Sequence, residues 1–188
     1  MSGNAAYAVE NAVPVSVVRY DLTTGARTVV SDGSDSEVGA VRLSTGGLTA
    51  LDAARSRILV THGPSQSLVA VDLTTGMRTI LSGSTRGTGP ALGTPSGIAL
   101  HPDRNRAYVV NRFKGVLEVD LQTGDRVMRS GTGADGAVVG VGPLPTSFEG
   151  AALDGAGALY VADATVGLLQ IDLTSGKRTS VSSFAPDA

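Results

Sequence analysis

A twelve-residue segment that recurs four times constrains the fold of this 188-residue chain more than any other feature. Its second copy runs from Val71 to Ser82 and reads Val-Asp-Leu-Thr-Thr-Gly-Met-Arg-Thr-Ile-Leu-Ser. The aspartates that mark successive copies are 51, 48 and 52 residues apart, and they are Asp21, Asp72, Asp120 and Asp172. A period near fifty residues is typical of repeat architectures, in which each repeat forms one supersecondary unit.

Each copy predicts a tight turn between two antiparallel strands. A glycine stands four residues after each aspartate, at Gly25, Gly76, Gly124 and Gly176. A hairpin of this length needs a positive φ at that place, which glycine adopts without a steric penalty. We expect the aspartate, and the Thr or Ser before the glycine, to accept hydrogen bonds from amides of the turn.

An arginine follows each glycine by two positions, at Arg27, Arg78, Arg126 and Arg178. One interpretation is a belt of stacked arginines that binds anions. The other is a charged residue on an exposed outer strand, which discourages pairing with other chains. We favour the exposed outer strand.

Composition excludes several classes of function. The formal net charge is −2 and aromatic residues make up 4% of the chain, so we expect no nucleic-acid partner. The chain has no cysteine, which removes disulfides, thiolate zinc sites and thiol nucleophiles. No apolar run is long enough for a membrane span, and no signal peptide is visible. We expect residues 1–188 to form a single domain.

Short apolar runs between glycine-rich turns predict an all-β fold. The third repeat is the clearest, with strands predicted at Gly97–Leu100, Ala107–Val110, Gly115–Leu121 and Arg126–Arg129. A repeated unit of up to four antiparallel strands predicts the blades of a β-propeller. We place these blades at about residues 1–31, 47–82, 97–130 and 150–182.

The first repeat lacks an inner strand, since Tyr7–Val9 and Val15–Leu22 match the second and third strands of the other repeats. Three alternatives remain open. The chain is part of a larger propeller of about six to eight blades, which we favour, or it is a four-bladed ring with one thin blade. As a third alternative, an open arc would leave apolar blade faces uncovered, and self-assembly would complete a ring.

The third and fourth repeats resemble known propeller families. Gly93–Asp103, with Ala107–Asn111 and Leu117–Leu121, resembles a blade of the NHL and SMP-30/gluconolactonase-like propellers, which are six-bladed and TolB-like. Phe148–Asp154 resembles the same blade type, and the pattern is also similar to the YVTN-type repeat. The resemblance covers nearly the whole chain and implies a propeller in an extracytoplasmic location. It does not specify an activity, because this fold hosts hydrolases, oxidoreductases and binding modules.

A polar residue closes the second strand of every repeat, and these residues are Glu10, His62, Asn111 and Asp163. Together they could bind a hard divalent cation. Alternatively, each caps its own hairpin, as Asn and Asp often do, and we favour that interpretation.

Glu149 opens the predicted inner strand of the fourth repeat, where it would face the mouth of the channel. The resemblance implies a divalent metal at that mouth, since SMP-30/gluconolactonase-like enzymes use one to activate water for lactone opening. Glu149 and Asn111 match the general places of such ligands, with Asp163 as a weaker third, and calcium or zinc would be the ion. The family's later acidic ligand has no counterpart in this chain. Apart from this metal, we expect no cofactor and no catalytic residue.

The long connections between repeats are the second candidate surface. They run over residues 31–46, 82–96 and 130–149, and we expect Gly89–Leu92 and Gly142–Pro145 within them to bury an apolar side chain. Loops on a rigid scaffold often carry function. We therefore favour a binding or scaffold module over an enzyme, and expect its face of inter-blade loops to bind an unknown protein or small-molecule ligand. The alternative is a metal-dependent lactone hydrolase that would need the complete ring.

Overall fold

The computed structural model describes residues 4–11, 15–32, 41–44, 47–103, 105–133, 135–154 and 156–183. Within these ranges the chain consists almost entirely of antiparallel strands, and a 3-10 turn occurs at Ala53–Arg55. The strands are β1 (Ala5–Glu10), β2 (Ser16–Asp21), β3 (Arg27–Asp32), β4 (Thr49–Asp52), β5 (Arg57–His62), β6 (Ser67–Asp72), β7 (Arg78–Ser82), β8 (Pro95–Leu100), β9 (Arg106–Asn111), β10 (Gly115–Asp120), β11 (Arg126–Thr132), β12 (Val138–Val139), β13 (Phe148–Leu153), β14 (Leu159–Asp163), β15 (Gly167–Ile171) and β16 (Arg178–Ser182).

Four sheets follow one another along the chain as the blades of a propeller, so the predicted fold class is confirmed. The first described sheet has the order β1-β2-β3, and the second and fourth have the orders β4-β5-β6-β7 and β13-β14-β15-β16. The third sheet runs β8-β9-β10-β11 and gains β12 as a fifth strand. Sequence reasoning did not predict β12, a two-residue strand within the connection between the third and fourth blades.

The recurring turn has the predicted structure in all four blades. In the second blade, Oδ1 of Asp72 accepts hydrogen bonds from the amides of Thr75 at 2.7 Å and Thr74 at 2.8 Å. These amides lower the pKa of Asp72. Gly76 has a φ of +74°, and the other three turn glycines also have positive φ. The aspartates of the other copies make the same pair of bonds to the second and third amides after them.

A β-bulge recurs in every blade where the outer strand pairs with the strand that precedes it in the chain. Going from the first blade to the fourth, the register shifts between Val17 and Val18, between Leu68 and Val69, between Val116 and Leu117, and between Leu168 and Leu169. A bulge increases the local twist of a strand. Because the bulge recurs at the equivalent position, the end of every outer strand has a similar twist relative to its blade.

Three buried apolar clusters lie between consecutive blades. The first joins blades one and two around Val17 and Val69, and the second joins blades two and three around Leu68 and Leu117. The third joins blades three and four, and contains Tyr108, Phe148, Val161 and Leu169. No such cluster joins the fourth blade to the first among the described residues. The hydrophobic stabilisation of this fold therefore comes from the contacts between neighbouring blades.

The expectation of exposed arginines is wrong for three of the four copies. Only Arg27 is substantially exposed, whereas Arg78, Arg126 and Arg178 are 1%, 8% and 2% exposed. Nε of Arg126 donates to the carbonyl of Pro90 at 2.7 Å, and Nε of Arg178 donates to the carbonyl of Pro143 at 2.7 Å. Burial lowers the pKa of both guanidinium groups. These side chains bind the connection that precedes their blade, because a guanidinium offers five donors to a set of backbone carbonyls.

No helix of the described part of the chain is long and apolar enough to cross a bilayer.

Candidate functional site

The candidate site is the end of the blades at which the second strands finish. Because the strands of a blade alternate in direction, β9 ends beside the start of β8, and β14 ends beside the start of β13. The hairpin turns at residues 63–66, 112–114 and 164–166 and the ends of the inter-blade connections meet here. We call this surface the upper rim.

Asp163, at the end of β14, holds two chain segments of the upper rim. Its Oδ1 accepts hydrogen bonds from the amides of Thr165 at 2.9 Å and Val166 at 3.0 Å, which lie in its own hairpin turn. Its Oδ2 accepts from the amides of Thr146 at 2.9 Å and Ser147 at 2.8 Å, at the end of the incoming connection. Burial alone would raise the pKa of this carboxyl group, but the hydrogen bonds from Thr165, Ser147 and Val166 outweigh burial and lower it.

Asn111, at the end of β9, likewise binds both its own hairpin turn and the incoming connection, through an amide side chain. Its Oδ1 accepts from the amide of Phe113 in the hairpin turn at 3.2 Å, and its Nδ2 donates to the carbonyl of Leu92 in the connection at 2.9 Å. The connection passes so close that a Cβ on Gly93 would lie 2.1 Å from Nδ2 of Asn111. Glycine is needed at this point for the approach and for its φ of +63°.

His62 is the equivalent residue of the second blade. Its Nδ1 lies 2.6 Å from Oγ of Ser65 in the hairpin turn, and its Nε2 accepts from the amide of Ser44 at 3.3 Å. Burial lowers the pKa of the imidazole. Glu10 differs, because it binds Arg27 and Tyr20 of its own sheet, and these contacts lower its pKa to about 2. The hairpin-cap interpretation thus describes His62, Asn111 and Asp163, each of which also fastens a connection.

Glu149 and Arg112 form an ion pair that crosses from one blade to the next. Nη2 of Arg112, in the β9–β10 turn, lies 2.6 Å from Oε2 of Glu149, in β13, and both side chains are about two-fifths exposed. Oγ of Ser147 donates to Oε1 of the same glutamate at 2.9 Å. Below them, the amide of Phe148 donates to the carbonyl of Arg112 at 3.0 Å. Two charged groups are therefore presented to solvent on a backbone that is fixed from both sides.

The structure places the three predicted metal ligands at one end of the third and fourth blades but directs their polar atoms elsewhere. Asn111 and Asp163 are 4% and 2% exposed, and both bind backbone groups. Glu149 is paired with Arg112, so its Oε2 already binds a cationic group. In the described ranges, no three His, Cys, Asp or Glu side chains are grouped as metal ligands would be. As arranged here, these residues do not fit a bound cation, and the metal site stays a prediction.

The inter-blade connections cross the front of the following blade before they reach the upper rim. Residues 87–93 pass the turn at Gly124, then Arg126, then Asn111, and residues 140–147 pass Gly176, Arg178 and Asp163 in the same order. The predicted burial of an apolar side chain is confirmed for Leu92, which is 1% exposed. It is wrong for Leu144, which is 47% exposed. Most of the connection between the first two blades, at residues 33–40 and 45–46, lies outside the described residues.

Sequence reasoning missed the ion pair and the buried arginines. Arg112 follows Asn111 directly, but nothing in the local pattern indicates that it reaches the next blade. The arginines did carry a signal: each has a serine four residues later, at Ser31, Ser82, Ser130 and Ser182. An Arg with a Ser at constant spacing indicates that the two side chains share a repeated environment, which a solvent-exposed edge does not require.

Comparison with known proteins shows the fold and not a family. No family model matches the chain, and no curated protein matches it by sequence. A protein of unknown function from Bacteroides thetaiotaomicron superposes with a TM-score of 0.65 and 14% identity over 95% of this chain and 41% of its own. Kuenenia stuttgartiensis hydrazine synthase superposes with a TM-score of 0.64 and 20% identity, over 94% of this chain and 45% of its own. A chain of the nidogen/laminin complex superposes with a TM-score of 0.55 and 17% identity, over 98% of this chain and 77% of its own. The present chain thus spans less than half of the first two structures.

Proposed function

We propose that this chain is a binding or scaffold module whose upper rim receives a polar ligand or a partner protein. The observation that carries the proposal is the exposed pair of Arg112 and Glu149 on an anchored backbone. Loops that a rigid scaffold holds in place commonly carry binding residues. The β-propeller fold supports such a role in general, and the similarity to a chain of the nidogen/laminin complex adds an example from a protein assembly.

The chemistry of the rim around Glu149 favours a ligand that offers both hydrogen-bond donors and acceptors. Arg112 supplies donors and Glu149 supplies acceptors, and the pair is open to solvent. The hydroxyls of Thr146 and Thr165 lie 2.7 Å apart on the same rim and can serve as either. An exposed ion pair contributes little to stability, so its groups can exchange partners at low cost. We therefore expect this pair to open when a ligand binds.

Affinity capture with matched variants tests the proposal. The immobilised chain, its Arg112→Glu variant and a Gln122→Glu control are each exposed to the same protein mixture, and each captured protein is purified and titrated by calorimetry. Gln122 is exposed in the turn between β10 and β11, at the opposite end of these strands from the upper rim. We expect Arg112→Glu to weaken binding at least tenfold and Gln122→Glu to change it less than twofold. Captured proteins that bind the wild-type chain and both variants equally, or that lose affinity only with Gln122→Glu, would overturn the proposal.

A further inference from the structure

The junction between blades two and three and the junction between blades three and four share one arrangement. In both, an arginine of one blade binds a serine of the blade before it. Nη1 of Arg126 donates to Oγ of Ser82 at 2.7 Å, and Nη1 of Arg178 donates to Oγ of Ser130 at 2.7 Å. Each serine in turn donates to the carbonyl of a turn glycine, Gly124 at 2.6 Å or Gly176 at 2.8 Å. A blade thus presents an arginine on its front face, toward the preceding blade, and a serine on its back face, toward the following blade.

The back face of the fourth blade has the same residues, but among the described residues they are exposed to solvent. Ser182 pairs with Leu168 as Ser82 pairs with Leu68, yet Ser182 is exposed and Ser82 is fully buried. Val181 is 52% exposed, whereas its counterpart Leu81 in the second blade is 5% exposed. A cavity of about 410 Å³ opens on this side of the blade and is lined by Gln170, Lys177 and Thr179, among others.

The front face of the first blade carries the matching arginine. Arg27 pairs with Tyr20 in the sheet as Arg126 pairs with Val119 and Arg178 with Ile171. Its side chain is 47% exposed, and its described partner is Glu10 of the same sheet. Ala6 is also exposed and pairs with Tyr20 across the sheet.

We propose that these two faces bind each other between two copies of this chain, so that Arg27 of one copy reaches Ser182 of the next. Hydrogen-bond complementarity favours this occupant, because the chain already joins an arginine front to a serine back at two of its own junctions. Val181 and the half-buried Tyr160 and Leu168 supply the apolar area that Leu81, Leu59 and Leu68 bury in the second blade. The contact is heterologous, so it closes into a ring or continues as an open assembly. The proposal is independent of the ligand at the upper rim.

Sedimentation velocity and light scattering over a range of concentrations test the proposal. We expect the chain to exceed its monomer mass of 18.9 kDa at high concentration and to reach at least twice that mass. Val181→Asp on the back face and Ala6→Asp on the front face are expected to weaken association at least tenfold. Arg27→Ala is a second variant of the front face. Val127→Asp is the matched control, because Val127 is equally exposed, at 53%, on the outer strand of a blade that has both neighbours.

A mixing experiment separates this head-to-tail contact from a symmetric dimer. The Val181→Asp chain keeps an intact front face and the Ala6→Asp chain keeps an intact back face. An equimolar mixture is therefore expected to form a heterodimer at concentrations where each variant alone stays monomeric. A wild-type chain that stays at 18.9 kDa at all concentrations would overturn the proposal. So would a mixture that remains monomeric, or a Val127→Asp variant that loses association to the same degree. Arg112→Glu is expected to leave the mass of the assembly unchanged, so this test is distinct from the test of ligand binding at the upper rim.

Discussion

Nη1 of Arg126 lies 2.7 Å from Oγ of Ser82, a residue of the preceding blade, and the same guanidinium contacts four backbone carbonyls of residues 83–90. An arginine that begins an outer strand therefore fastens both the neighbouring blade and the connection between them. The fourth blade repeats the arrangement with Arg178 and Ser130. The inter-blade connections are thus parts of the junctions, and only their ends contribute to the upper rim.

Replacing Arg126 with methionine is expected to destabilise the protein because the buried carbonyl of Gly83 and the partly buried carbonyl of Pro90 would lose a donor. Leaving buried polar groups unsatisfied costs about 1–3 kcal/mol each, and partial relaxation of the connection limits the total, so we expect a loss of about 3 kcal/mol. Chemical denaturation measures the change. Arg27→Met is the control: this arginine is exposed, so its replacement should cost far less. Equal losses for the two variants would contradict the assignment of Arg126 as a junction residue.

The turn glycines allow a comparison of backbone strain with close approach. Gly25 and Gly76 have φ values of +72° and +74°, but only Gly76 meets an obstacle, since a Cβ there would lie 2.4 Å from the carbonyl oxygen of Val30. Gly25→Ala is expected to cost about 1 kcal/mol, the usual penalty for a non-glycine residue in this conformation. Gly76→Ala adds the collision with the first blade and is expected to cost at least twice as much. Thermal unfolding of the two variants checks the order, and a larger effect at Gly25 would contradict the described junction between blades one and two.

Asp163 predicts a specific dependence of stability on pH. Its pKa in the folded protein is below the ordinary value of 3.8, so its carboxylate stabilises the fold above about pH 4, and this contribution is lost as the pH falls through the folded pKa. Asp163→Asn removes the negative charge of a carboxylate that accepts hydrogen bonds from four backbone amides. We expect the free energy of unfolding at pH 7 to fall by about 2 kcal/mol. Urea denaturation of both proteins at pH 7 and pH 3 measures the difference. It should shrink at pH 3, and a constant difference would show that the carboxylate charge is not the cause.

The predicted metal site gives a further test. Because Arg112 occupies one carboxylate oxygen of Glu149, we expect millimolar calcium or zinc to leave the melting temperature unchanged. A rise in melting temperature that Glu149→Gln abolishes would support the metal and the lactone hydrolase. Glu118→Gln is a control, since Glu118 is a carboxylate paired with Arg129 and belongs to none of the predicted ligands.

Most of what the sequence predicts correctly about the fold comes from the repeated segment. The aspartate, glycine and spacing of the turn act within a few residues, so Asp72 and Gly76 indicate their own local structure directly. The environment of Arg126 depends on a serine 44 residues earlier, and such a contact is not visible in a local pattern. The same holds for Glu149, whose partner Arg112 lies 37 residues away on another blade. A carboxylate at a strand start predicts a ligand or an ion pair equally well until the neighbouring blade is placed.

A double-mutant cycle on Ser130 and Arg178 tests most directly the claim that arginine–serine contacts hold consecutive blades together. Free energies of unfolding are measured for the wild-type chain, Ser130→Ala, Arg178→Met and the double variant. Because the two side chains are buried and 2.7 Å apart, we predict a coupling energy of about 1–2 kcal/mol. Additive effects of the two substitutions, with a coupling energy near zero, would contradict the account.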